Sequence, residues 1–280
     1  MVELTKPGIT RMVLVTTAAG FYLASPGAVN WLLLAVMLLG TGLVASAAGA
    51  LNQFLERDAD GLMLRTHRRP LPSGRLDRSQ ALAFAAVLAL AGLALTAFGV
   101  GIAPAVVVAL SLITYLLLYT PLKRRTWWAT IVGAVPGGLP ILAGWLAAGG
   151  GLDGAGFALF SILFLWQMPH FYALAWIYRD DYLRGGFRLL SADDPTGIRT
   201  ARQALAFALL LVPVSLLPTL FGVSGRAYLA GALALGLAYA ALGLALLIHR
   251  NNRRAWRLFF ASVVYLPALL LLMVLDKLTI

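Results

Sequence analysis

Apolar residues run through this chain in long blocks, and polar residues are confined to the segments between them. Nine blocks approach the roughly 17–25 residues that a helix needs to cross a bilayer. They lie near Ile9–Ala28, Trp31–Leu51, Gln80–Phe98, Ile102–Leu122, Ala129–Ala148, Gly156–Ile177, Gln203–Phe221, Ala227–His249 and Leu258–Leu275. Gly- and Pro-containing breaks separate the tightest pairs, among them Ser25-Pro26-Gly27, Gly99-Val100-Gly101 and Gly149-Gly150-Gly151. The pattern predicts an all-α fold, a polytopic nine-transmembrane-helix bundle forming one domain over residues 1–280.

Composition sharpens that reading. Of 280 residues, 61% are hydrophobic and 12% charged, against about 25% charged in soluble domains, so lipid is the solvent for most side chains. The absence of cysteine excludes iron–sulfur ligation, thiolate metal sites, disulfides and cysteine nucleophiles. Met1 to Arg11 lacks the features of a signal peptide, so the first block is expected to be retained. The net charge of +11 would suggest nucleic acid in a soluble protein. Here the charges lie between apolar blocks, where topology and anionic lipid account for them and no nucleic-acid partner is expected.

Charge placement tests the span count independently. Of the 22 basic residues, only Arg226 and Lys277 fall opposite the N-terminus in a nine-span chain. Adding or losing one span destroys that segregation. The positive-inside rule then makes the N-terminal face cytoplasmic and puts the C-terminus on the other side of the cell membrane. The acids are more concentrated still. Glu56, Asp58, Asp60 and Asp77 occupy one loop of the basic face, about 52–78, and Asp180, Asp181, Asp193 and Asp194 occupy another, about 178–202. Long polar loops on one face of a bundle are where function is expected.

If the second span continues helically, Asn52, Glu56 and Asp60 lie at i, i+4 and i+8 on one stripe, about 6 Å apart. A row of oxygens at a helix end suits Mg²⁺, which takes few carboxylates and shares its shell with substrate phosphates. Arg65, Arg68 and Arg69 follow closely enough to meet phosphate oxygens. Asp58 falls off the stripe and reads instead as a surface charge. His170 lies within the sixth span, where an ionisable group is costly and points to function.

The Asn52-x-x-x-Glu56-x-x-x-Asp60 pattern, followed by Arg65-Thr66-x-x-Arg69-Pro70-Leu71, resembles the signature of the UbiA-type intramembrane prenyltransferases. Three further strings, Tyr119-Thr120-Pro121-Leu122-Lys123-Arg124, Val132 to Pro140 and Trp166-Gln167-Met168-Pro169-His170-Phe171, resemble the haem-prenylating branch of that family, as do Arg179-Asp180-Asp181-Tyr182 and Asp194-Pro195-Thr196-Gly197. The resemblance covers nearly the whole chain, in order. It implies Mg²⁺-dependent transfer of farnesyl from farnesyl diphosphate to a vinyl group of haem b, with addition of water, giving haem O. The cavity would open to the cytoplasm, and a haem A-forming enzyme or an oxidase assembly would be a further partner.

By the same resemblance, Asn52, Glu56, Asp60 and Asp181 are expected as metal ligands and Lys123 as a catalytic cation. Arg65, Arg68, Arg69, Arg124, His170, Asp180 and Tyr182 are expected as substrate contacts. The chain departs from the wider family in the second acidic motif: the acid expected four residues before Asp181 is Ile177, with Asp180 as a substitute. Two other readings stay open, a prenyltransferase of aromatic acids or quinone precursors and a non-catalytic transporter.

Overall fold

The computed structural model describes residues 1–278 as an assembly of helices. After a short 3-10 turn (Val2–Thr5) come α1 (Pro7–Ala24), α2 (Trp31–Leu55), the short α3 (Arg57–Leu62), α4 (Arg78–Gly99) and α5 (Ile102–Leu122). The second half holds α6 (Ala129–Ala147), α7 (Gly154–Ile177), the short α8 (Arg179–Arg184), α9 (Ile198–Leu220), α10 (Arg226–His249) and α11 (Asn252–Leu275). Eight of these, all the long helices but α1, are long and apolar enough to cross a membrane. The eighteen-residue α1 packs along α6, where a side chain on Gly20 or Gly144 would lie 2.0 Å from the Ile141 or Thr17 carbonyl oxygen. Close approach of helix backbones through small residues is the usual packing mode where lipid offers no hydrophobic drive.

Local chemistry sets the helix ends. Asn30, Asp153 and Asn251 cap α2, α7 and α11 by accepting from the N–H groups of Leu33, Gly156 and Arg254. The expected seventh and ninth blocks begin late. Helix α9 starts at Ile198 rather than Gln203, because buried Asp194 accepts from Thr200 N at 2.8 Å and holds a polar first turn. Helix α11 starts at Asn252 rather than Leu258, a polar turn opened by the Asn251 cap.

Neighbouring helices close a ring, α1–α2–α4–α5–α6–α7–α9–α10–α11 and back to α1, with α1·α6 and α7·α11 contacts running through its interior. Lys277 secures the closure by donating to the carbonyls of Tyr22 (2.7 Å) and Ser25 (2.6 Å) at the end of α1. Outward positions carry large apolar side chains such as Leu32, Leu90, Phe98, Leu117 and Val264, as a lipid-facing surface requires.

One irregularity matters for the site. The last turns of α5 widen to a π-helix over Thr114–Tyr119. The Thr120 hydroxyl donates back to the Tyr115 carbonyl at 2.9 Å. Such widened turns shift the register of the side chains that follow and recur at functional sites. Here it places Tyr115 and Tyr119 on the central cavity and Lys123 beside Glu56.

Candidate active site

Glu56 bends the junction of α2 and α3 without breaking the helical register: Glu56 N bonds to the Asn52 carbonyl at 2.9 Å and Asp60 N to the Glu56 carbonyl at 2.8 Å. The expected stripe therefore forms, and Asn52, Glu56 and Asp60 are all buried. Cations surround it. Lys6 donates to Asn52 Oδ1, Lys123 pairs with Glu56, and Arg69 Nη1 reaches Asp60 Oδ2 at 2.7 Å. Asn52 Nδ2 completes its bonding on the Thr120 hydroxyl at 3.3 Å.

Two carboxylate oxygens of this cluster remain without a hydrogen-bond donor, Glu56 Oε1 and Asp60 Oδ1. Lys123 closes on Glu56 Oε1 as an ion pair, so Asp60 Oδ1 is the buried oxygen of the stripe left without any such partner. A buried oxygen left so costs about 1–3 kcal/mol, and more when charged, so Asp60 Oδ1, beside a Glu56 held by a cation alone, suits a site made for a further cation. These oxygens, with Asn52 Oδ1, fit a magnesium ion that takes its remaining ligands from phosphate and water.

Lys6 was legible in the sequence only as a topology charge. It occupies a left-handed turn (φ 48°) just before Pro7. Gln53 holds the N-terminal segment in place by donating to the carbonyls of Glu3 (3.0 Å) and Leu4 (3.2 Å). Burial, with Arg69 and Lys123 nearby, pulls the Lys6 ammonium down to about 7, against Glu56 and Asp60. Lys123 behaves otherwise. Burial pulls it down, but Glu56, together with Tyr115 and Tyr182, outweighs this and raises it above its ordinary value. Its ammonium also lies over the Tyr119 ring, 4.6 Å from the centroid.

Asp181 brings the second loop to the first. Its Oδ1 accepts from Leu64 N at 3.0 Å and Arg184 Nη1 at 2.7 Å, and its Oδ2 accepts from Arg65 N at 3.0 Å. Burial favours the neutral acid, yet these backbone N–H groups and the Arg184 and Arg65 charges outweigh it and hold the carboxyl below its usual range. Oδ2 alone keeps a free lone pair. Among the described residues, no three acidic or histidine side chains group as a metal site, so the structure does not gather Asp181 with Glu56 and Asp60 as a ready-made carboxylate cage.

The other expected contacts divide. The Arg65 guanidinium lies over the rings of Tyr178 and Tyr182, at 5.2 and 6.0 Å. Arg68 and Arg124 are exposed and form no ion pair among the described residues. Asp180 is exposed and paired only with Arg179, at 3.4 Å.

A cavity of about 780 Å³ adjoins this cluster at Lys6. Lys6, Tyr115 and Tyr119 line one part of it, and Trp166, His170 and Phe259 another. His170 is half-buried on α7, with Nδ1 2.7 Å from the Ser262 hydroxyl on α11.

Comparison with known proteins agrees with this architecture. The model of the UbiA prenyltransferase family matches residues 13–264. The protoheme IX farnesyltransferase of Solibacter usitatus is 48% identical, over 99% of this chain and 98% of that protein. The one from Aquifex aeolicus is 40% identical, over 98% of this chain and 93% of its own. Among solved structures, a digeranylgeranylglyceryl phosphate synthase in membranes superimposes with a TM-score of 0.82 at 18% identity, covering 98% of this chain and 96% of the other. A UbiA homologue from Archaeoglobus fulgidus bound to GPP and Mg²⁺ gives 0.68 at 14% identity, with 97% and 98% covered.

Proposed function

Since the chain belongs to the UbiA prenyltransferase family and is an intramembrane prenyltransferase, we propose that it transfers farnesyl from farnesyl diphosphate to a vinyl group of haem b, adding water to give haem O. The observation that carries this reading is one continuous cavity. Cations and orphaned carboxylate oxygens adjoin it at Lys6, and the His170 imidazole lines it further in. Names of relatives at up to 48% identity over almost the full chain support the acceptor.

The allylic C–O bond breaks when negative charge on departing diphosphate is neutralised. Asn52, Glu56 and Asp60 would hold the magnesium ion, which supplies part of that neutralisation, and Asp181 fixes the Leu64 and Arg65 backbone beside them. Lys6, Lys123 and Arg69 surround the same spot and meet phosphate oxygens as charge-assisted donors. Diphosphate adds negative charge to that of Glu56 and Asp60 beside Lys6 and favours its ammonium form. The vinyl group attacks the farnesyl C1 with its π electrons and forms the new C–C bond. The cation left beside the porphyrin takes the oxygen of a water molecule and releases a proton. Diphosphate is the other product.

The reading includes topology. Helix α1 is the ninth span, the acidic loops face the cytoplasm, and the C-terminus lies opposite. The placement of 20 of the 22 basic residues on the loop face supports this. Because the chain lacks cysteine, single cysteines at Ser73 and Gly151 report sidedness cleanly. An impermeant thiol reagent outside intact cells should label Gly151→Cys and leave Ser73→Cys untouched; the reverse would overturn the orientation.

The substrate assignment is tested with purified protein in lipid nanodiscs, labelled farnesyl diphosphate and either haem b or an aromatic acid. Label should move to the porphyrin only, and a chelator should abolish transfer. Label on the aromatic acid would replace this reading with the quinone-precursor one.

A further inference from the structure

His170 follows Pro169 in α7, and a bond from its neighbour Trp166 converges with its own on a single residue of α11. His170 Nδ1 lies 2.7 Å from the Ser262 hydroxyl. One turn earlier, Trp166 donates its indole N–H to the Ser262 carbonyl at 2.8 Å. Both rings line the cavity, and Ser262 itself is fully buried. Phe259 packs on the imidazole with centroids 4.7 Å apart, and Trp166 and Phe171 flank it at 5.8 Å each.

The hydrogen-bond directions follow from proton counting. Ser262 has one hydroxyl proton and donates it to the Phe259 carbonyl at 2.5 Å, an oxygen that can only accept. Towards His170 the Ser262 oxygen therefore offers lone pairs alone, and Nδ1 must be the donor. A neutral imidazole protonated at Nδ1 carries its available lone pair on Nε2. No protein group among the described residues bonds to Nε2, in a ring that lines the cavity. Histidines that bind metals have this same arrangement, with the second ring nitrogen donating to a fixed acceptor.

We propose that Ser262 is a positioning residue which holds His170 as its Nδ1–H tautomer and turns the Nε2 lone pair into the cavity, where it ligates the iron of the porphyrin acceptor. The proposal rests on the reading of haem as acceptor. An iron–nitrogen bond fixes the plane of the macrocycle relative to α7, and so decides which of its edges reaches the diphosphate end.

The test uses full-length protein in nanodiscs titrated with haem b and, separately, with metal-free protoporphyrin IX. The unaltered protein should give an imidazole–iron absorption spectrum and prefer haem over the metal-free porphyrin. His170→Ala should lose both, and added imidazole should restore the spectrum. Ser262→Ala should weaken haem binding about 10- to 100-fold and leave metal-free porphyrin binding unmoved, while Ser262→Thr, which keeps the hydroxyl, retains haem affinity. An unchanged spectrum in His170→Ala overturns the proposal, as do equal losses for both porphyrins in Ser262→Ala, the mark of a packing role. If the unaltered protein makes farnesylated haem while His170→Ala keeps the native spectrum, only this inference fails. If it neither binds nor farnesylates haem, the acceptor assignment fails first.

Discussion

The loop after α2 and the loop after α7 each open with a six-residue helix, each carry four acids, and each bury two of them: Glu56 and Asp60 in the first, Asp181 and Asp194 in the second. Their buried acids are bonded differently. Every carboxylate oxygen of Asp181 and Asp194 accepts from a donor, Asp194 from Thr196 (3.2 Å) and twice from Thr200. Asp60 keeps an oxygen that accepts from no donor, and Glu56 is held by the Lys123 ammonium alone, with no backbone or hydroxyl donor. Saturated carboxylates hold polypeptide in place, whereas a buried one left without a donor suits a ligand. The second loop thus serves as the clamp that shapes the first, through the Leu64 and Arg65 N–H groups.

The largest effects should come from the unsaturated pair. Glu56→Gln or Asp60→Asn should lower turnover at least about 10²–10³-fold, the loss expected for one electrostatic contact to a transition state. A readout independent of turnover sharpens this. Mg²⁺ with inorganic diphosphate, at about a hundred times its Kd, should stabilise the unaltered protein by about 2.7 kcal/mol and neither variant comparably. Near-normal turnover in either variant would erase the distinction between the loops.

Lys6→Met comes next. Losing one charge-assisted bond of about 1.5–3 kcal/mol should raise KM for farnesyl diphosphate about 10- to 100-fold and spare haem binding. An unchanged KM would remove Lys6 from the site. Asp181→Asn should act more mildly on chemistry and more on structure, costing about 1–3 kcal/mol of stability as backbone donors lose their acceptor. The Mg²⁺ concentration for half-maximal rate should stay within about twofold, because both Asp181 oxygens are already engaged by Leu64, Arg65 and Arg184. A shift as large as that in Glu56→Gln would make Asp181 a metal ligand and end the contrast.

What the sequence showed of this arrangement follows from the range of the interactions. The stripe Asn52, Glu56, Asp60 was legible because helical spacing is local, and the α2–α3 junction keeps its hydrogen-bond register across the bend at Glu56. The apolar blocks of the eight candidate membrane spans were legible because bilayer thickness sets their length; their polar first turns, as in α9 and α11, were not, since capping rather than hydropathy makes them. Lys6 lies 46 residues from Asn52, and nothing in spacing joins them. The work of Asp181 was hidden for another reason: its main partners are backbone N–H groups, which leave no mark on residue identity. Ser262 carries no motif either, and only proton counting at Phe259 gives it meaning.

The smallest effects should come from the acids that share these loops without sharing their burial, and they separate exposure from proximity. Asp58 and Asp180 have side chains 83% and 73% exposed, against 1% for Asp60, and each pairs with a surface arginine at 3.4 Å. Exposed pairs of this kind contribute about 0–1 kcal/mol because water screens them and two long side chains must be held still. Asp58→Asn and Asp180→Asn should therefore leave turnover within about twofold and stability within about 0.5 kcal/mol. Asp180 is the more informative of the two, because it is adjacent to Asp181. A tenfold loss in Asp180→Asn, with stability intact, would mean that the second loop reorganises when substrate arrives and turns this side chain inward. The saturation that distinguishes the two loops would then not survive substrate binding.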